Sequence, residues 1–188
     1  MNKIEAKNKV IRYLKERNIN FQENISNGAE GLAIVLLGYS RCPDTILECC
    51  FSFYPNDMEI RVYYSENAAH WIAERPERLP DMYRLLNFIA ARVWPFNSDG
   101  IGGEMYQPHH LATPRIYITE DGYWDLTSTM LVDYDVFEIA PLEICDTATA
   151  SIPELMDKLS TPLFLVLLGK MNVEEAILCI KQQILNEC

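Results

Sequence analysis

The chain has 188 residues, 49% of them hydrophobic, and carries ten Tyr, seven Phe and three Trp. That suits one well-buried core, is too short for two ordinary domains, and is foreign to disordered chains. Its net charge of −11, from 27 acidic and 16 basic residues, repels phosphate backbones. No dense Lys/Arg stripe offsets it, so nucleic acid is excluded as a direct partner.

The stretch from Met1 to Arg17 is charged throughout and lacks the apolar stretch of a secretory signal. The longest apolar run near the C-terminus, Leu163 to Leu168, falls well short of the roughly 18 residues that suggest a membrane span. A cytoplasmic location without a membrane partner is therefore expected. Cysteines stand at 42, 49, 50, 145, 179 and 188. Cys49 and Cys50 are adjacent in an expected strand and point to opposite faces, and there is no CxxC pair. Buried free thiols are expected, rather than a disulfide frame or a zinc site.

In chain order, Ile4, Val10, Ile11 and Leu14 share one face of a helix predicted from about Lys3 to Glu16, with Lys7, Lys9, Arg12 and Lys15 as polar cover. A short extended piece begins near Phe21. Leu32 to Leu37 is an apolar run ended by Gly38 and reads as a buried strand. Thr45 to Tyr54 is a second strand. Met58, Ile60, Val62 and Tyr64 then alternate with Glu59, Arg61 and Tyr63, so the third strand presents one face to the core and one to water. Three successive strands separated by turns predict an antiparallel meander.

Leu79-Pro80 opens a helix whose Met82, Leu85, Leu86, Ile89 and Val93 make one stripe, stopping at Trp94 before Pro95. From residue 96 to 113 periodicity is lost among glycines and prolines, which predicts a long connecting loop. Arg115 to Thr119 and Tyr123 to Met130 flank Glu120-Asp121-Gly122, a signal for a tight hairpin in which Asp-Gly takes left-handed positions. Val132 to Ile139 is expected to add or prolong a strand. Ser151-Ile152-Pro153-Glu154 carries a capping-box pattern, Ser160-Thr161-Pro162 is expected to interrupt and restart that helix, and Gly169 ends it. Asn172-Val173-Glu174-Glu175 caps a last helix running through Leu185.

The common catalytic signatures are absent: there is no GxSxG elbow, P-loop, HExxH or dinucleotide fingerprint. Gly100-Ile101-Gly102-Gly103 lacks the lysine and preceding strand of a phosphate loop and reads as a linker. No catalytic, cofactor or metal residue is assigned. The alternative is a small metal-dependent hydrolase using His109 and His110 with Asp99 and Glu104. Cys42 is a weaker nucleophile candidate, activated only if Arg41 lowers its pKa. Asp121, Asp125, Asp133 and Asp135 are spaced irregularly for a calcium loop and read as a solvated sheet edge. The aromatic residues Trp71, Trp94, Phe96, Tyr106, Tyr123 and Trp124 flank the glycine-rich segment or the hairpin. They are candidate anchors of a protein-binding surface, with core packing as the plainer role for each. A third reading has the Trp94 to Tyr106 region closing over a small molecule as a sensor.

Two local patterns carry a resemblance: Glu120-Asp121-Gly122-Tyr123 leading into a strand, and Leu167-Leu168-Gly169-Lys170-Met171-Asn172-Val173-Glu174-Glu175-Ala176-Ile177. With the order helix, three strands, helix, long link, two strands, helix, the chain resembles the type III secretion chaperones and the YbjN family of sensory-transduction regulators over residues 3 to 186. The resemblance implies an α+β domain over residues 1–188, an antiparallel sheet packed against helices, to which this chain adds a further C-terminal helix. It also implies a non-enzymatic, cytoplasmic protein that binds another protein in a regulatory or chaperone-like way, forms a homodimer and needs no cofactor. The long link and the extra helix depart from the compact secretion chaperones, and no catalytic residue is carried over.

Overall fold

The computed structural model describes residues 1–26, 29–93 and 115–187. Six strands, β1 (Gln22–Ser26), β2 (Ala29–Leu37), β3 (Ile46–Phe53), β4 (Asp57–Tyr64), β5 (Arg115–Ile118) and β6 (Leu126–Asp133), form one sheet in the order β1-β2-β3-β4-β6-β5. Every neighbouring pair is antiparallel. The helices are α1 (Lys3–Glu16), α2 (Glu66–Ala73), α3 (Leu79–Arg92), α4 (Tyr134–Ile139), α5 (Pro141–Asp146), α6 (Ile152–Leu167) and α7 (Val173–Gln183). The expected α+β class is thus correct, with four strands in a meander and β6 joined to its inner edge after α2 and α3.

Alternation in the strands decides which face the helices cover. Leu47, Cys49, Phe51 and Phe53 of β3 and Met58, Ile60, Val62 and Tyr64 of β4 are buried, while the residues between them stay half-exposed. Register places Leu32, Phe51, Ile60 and Met130 in one row on that inner face. Burying each large apolar side chain of this kind contributes about 1.5–3 kcal/mol. All helices from α1 to α7 supply residues to the same hydrophobic cluster. The opposite face of the sheet carries Ala33, Val35, Leu37, Glu48, Cys50, Glu59, Arg61, Tyr63 and Thr129.

Local capping explains several ends. Asn2 and Asn172 each accept from the backbone N–H three residues on, and Glu5 and Glu175 return the bond, closing a capping box on α1 and α7. Gly169, at φ +66, ends α6 with Gly169 N–H on Val166 O (3.0 Å) and Lys170 N–H on Leu165 O (2.8 Å), a Schellman closure.

Five local expectations are corrected. Pro162 does not interrupt α6, which runs from Ile152 to Leu167 through it. The missing N–H is outweighed by burial of Leu159, Leu163, Phe164, Val166 and Leu167, and the Ser160 hydroxyl donates to Arg41 O at 2.6 Å instead of capping a new helix. Ser151 caps nothing by its side chain, because α5 passes into α6 through a wider π-type turn at Thr147–Ser151. There the hydroxyls of Thr147 and Thr149 donate to Glu143 O (2.8 Å) and Cys145 O (2.9 Å). Val132 and Asp133 do complete β6, but Asp133 then accepts from Asp135 N–H at 2.7 Å and starts α4, so 134–139 is helix rather than strand. The β5–β6 connection spans residues 119–125 instead of the tight turn expected at 120–122. The helix expected to reach Trp94 ends at Arg92. The connecting loop expected at 96–113 falls outside the described residues, and among the described residues no helix is long and apolar enough to cross a membrane.

Candidate functional site

A cavity of about 490 Å³ opens where α2, the ends of β3 and β4, and the β5–β6 connection meet. Its walls are Glu48, Tyr63, Tyr64, Glu66, Ala69, His70, Ala73, Gly122, Tyr123, Trp124 and Asp125. Three pieces build it.

The first is α2, placed by the β2–β3 connection. Asp44, in the left-handed region at φ 56, accepts from the Ser65 hydroxyl at 2.5 Å and from Asn67 Nδ2 at 3.0 Å. These donors hold its carboxyl below the usual aspartate value and anchor the first turn of α2. Ala68, Ala69 and Ile72 bury the inner face of the helix, leaving Glu66 and His70 along the cavity. Trp71 packs edge-on against Phe164 (ring centroids 5.8 Å), and Phe164 packs edge-on against Tyr64 (5.0 Å).

The second piece is the cross-strand pair Glu48 and Tyr63 on the outer face of β3 and β4. Burial pushes the Glu48 carboxyl up, and the charges of Asp125 and Glu66 push it further, against the opposing hydrogen bond with Tyr63. The Tyr63 hydroxyl is raised by burial and then by Glu48.

The third is the β5–β6 connection. Thr119 N–H donates to Asp125 O and Asp125 N–H to Thr119 Oγ1, both at 2.9 Å, which closes its base. Tyr123 N–H donates to Asp121 Oδ1 at 3.2 Å, and Gly122 and Trp124 take φ values of +97 and +61. Tyr83 donates to Glu120 from α3 and steadies the outer side. Tyr123 is left 75% exposed, whereas Trp124 is half-buried against the core. Asp125 is raised by burial and then by Asp121, with Arg61 acting in the opposite sense.

Comparison with protein-family models, curated proteins and solved structures finds no match.

Of the six aromatic residues singled out in the sequence, Tyr123 and Trp124 come together in the cavity wall. Trp71 lies on the helix that forms another wall but turns its ring to Phe164. Trp94, Phe96 and Tyr106 lie outside the described residues, as do Asp99, the glycines at 100, 102 and 103, Glu104, His109 and His110. Among the described residues no group of three or more His, Cys, Asp or Glu is placed to hold a metal ion.

Cys42 is corrected as a nucleophile candidate. It is buried, and burial followed by the charge of Asp157 pushes its thiol up to about 12, opposite to the activation expected from Arg41. Arg41 instead lends its backbone N–H to Asp157 at 2.9 Å. The described cysteines 42, 49, 50, 145 and 179 are all free. The acidic group divides: Asp121 and Asp125 sit at the cavity end of the hairpin, Asp133 and Asp135 at the start of α4.

Sequence reading missed Glu48, Tyr63, Glu66 and His70. Tyr63 was visible only as the outward side of an alternating strand, and the outward Glu48 one strand away was its cross-strand partner. α2 carried no strong signal of its own beyond Ala68, Ala69 and Ile72.

Proposed function

We propose that this protein is a non-enzymatic, cytoplasmic binding protein of regulatory or chaperone-like type, similar to the YbjN and secretion-chaperone families, that holds a segment of another protein. The observation that carries the reading is the exposed Tyr123 beside Trp124 at the mouth of a 490 Å³ cavity. Large aromatic side chains at a partly open pocket are the residue types that carry interface energy. Next to it, Val35 (57% exposed) and Leu37 (76% exposed) leave an apolar strip on the outer sheet face, a feature that marks interaction surfaces.

The test is affinity purification of the full chain from its own cells beside a Tyr123→Ala/Trp124→Ala variant, with quantitative mass spectrometry. A protein recovered by the native chain and depleted about tenfold on the variant, as removal of interface aromatics implies, is the expected result. An unchanged set of recovered proteins overturns the reading. Homodimerisation belongs to the same proposal and is tested by light scattering at micromolar concentration, where a strictly monomeric mass removes it.

The volume of the cavity favours one second reading, a small-molecule sensor, since ligand pockets run from about 300 to 1,000 Å³. Native mass spectrometry distinguishes it: a co-purified small molecule lost on Trp124→Ala supports the sensor, whereas a bare chain mass argues for the protein-binding role.

A further inference from the structure

The cavity between α2 and the β5–β6 connection has a one-sided charge. Glu48, Glu66 and Asp125 line it together with His70, and no Lys or Arg does. All Lys and Arg residues of the chain fall within the described segments, since residues 27–28, 94–114 and 188 contain none. The chain itself therefore supplies no Lys or Arg side chain to this wall. The cation that bears on Asp125 is Arg61, and its guanidinium is engaged by Glu59 at 3.1 Å. Among the other basic residues, Lys3 and Lys7 pair with Glu30, Arg84 with Glu174 and Arg92 with Glu187, all away from the cavity.

Carboxylates that face one another across partly dehydrated space disfavour each other's charge. Burial raises the carboxyls of Glu48 and Asp125, and charge adds to it, from Asp125 and Glu66 on Glu48 and from Asp121 on Asp125. A cation entering the cavity offsets that repulsion. The lining also includes Tyr63, Tyr64, Tyr123 and Trp124, beside Ala69, Ala73 and Gly122, and aromatic faces attract cations, tryptophan most strongly. Acidic groups and aromatic rings thus converge on the same chemistry from independent physical causes.

The surroundings select the source of the cation. Glu48 on β3 is the cross-strand partner of Val35 on β2, and Leu37 pairs with Ile46 one step along the same outer face. The apolar strip of exposed Val35 and Leu37 and half-buried Ile46 therefore begins at the rim of the cavity. A free amine leaves that strip in water, whereas a chain segment with a basic residue beside apolar ones covers both.

Resting on the protein-binding reading above, we infer that the cavity receives a Lys or Arg side chain of a bound protein segment, whose neighbouring apolar residues lie on Val35, Leu37 and Ile46.

Random heptapeptides displayed on phage are selected on the full chain and counter-selected on its Trp124→Ala variant. The expected winners carry Lys or Arg beside Leu, Ile, Val or Phe. Synthetic copies, followed by fluorescence anisotropy, should bind about tenfold more weakly to a Glu48→Gln/Asp125→Asn variant, the scale of losing a charge-assisted, aromatic-flanked contact. Replacing the Arg by citrulline, or the Lys by norleucine, should cost a similar factor. Both amide substitutions preserve shape and relieve repulsion, and circular dichroism verifies the fold. Winners that need Trp124 but carry no basic residue overturn this inference and leave the protein-binding reading standing. Absence of any Trp124-dependent winner overturns both. If arginine amide alone quenches tryptophan fluorescence in the native chain but not in Trp124→Ala, the cavity belongs to a free cation and the docking surface is wrong.

Discussion

The Tyr64 hydroxyl donates to the main-chain carbonyl of Met156 at 2.7 Å in a fully buried position. It fastens the end of β4 to the N-terminal part of α6, and its ring packs edge-on against Phe164. The cavity wall at Tyr63 and the aromatic line from Trp71 to Phe164 both depend on that junction.

Tyr64→Phe removes the hydrogen bond and keeps the ring. The expected loss is about 1–2 kcal/mol, the cost of deleting one buried partner. Urea unfolding should show a lower midpoint with an unchanged slope. An unchanged midpoint would show that the bond contributes nothing to holding α6 on the sheet.

Thiol chemistry offers a second check. Burial pushes Cys42 and Cys145 up to about 12 and Cys49 well above an ordinary thiol. The thiolate is the reactive form, so iodoacetamide at mildly alkaline pH should leave these three unmodified in the native protein and alkylate them fully after denaturation. Peptide mass spectrometry reads the outcome. Rapid labelling of Cys42 in the native state would contradict its packing beside Asp157 on α6.

Acid sensitivity should reside partly at Glu30. Hydrogen bonds from Lys3 and Lys7, each with an N–O distance of 2.9 Å, hold its carboxyl down to about 2 from an ordinary 4.5. A depressed carboxyl stabilises the fold fully above the unfolded value, and that contribution fades as pH falls through the folded one. Thermal midpoints of the native protein and Glu30→Gln should therefore differ near neutrality and converge as pH drops from 4.5 towards about 2. The site is exposed, so high salt should shrink the difference.

Glu48 has the opposite sign. Its raised carboxyl means that the folded state holds the proton more tightly, so stability falls as pH rises from the unfolded value through the folded one. Glu48→Gln should stabilise the free protein at neutral pH by about 0.5 kcal/mol, the scale of a partly exposed charge interaction. At acid pH, where Glu48 is protonated in both states, the gain should vanish. A loss of stability at neutral pH would mean that the carboxylate already has a compensating partner.

How much of this was legible can be judged element by element. The alternation of Met58, Ile60, Val62 and Tyr64 identified β4 and its buried face, because a strand's two-residue period is a local property. The Asn172–Glu175 box located α7 for the same reason: both bonds close within four residues. Pro162 misled, because the packing that carries α6 past it comes from residues distant in sequence. Asp121-Gly122 misled because Thr119 and Asp125 close a wider connection at its base and Tyr83 from another helix holds Glu120.

What the sequence by itself determined is the chemistry available: an acidic chain, a core large enough for a sheet covered by helices, and exposed-strand periods that place polar residues outward. Only the tertiary structure decided that Glu48, Tyr63, Glu66, His70, Trp124 and Asp125 share one cavity. Those residues come from segments that approach only after β3 and β4 pair and Asp44 captures the first turn of α2. Their juxtaposition depends on long-range packing, on which local periodicity carries no information.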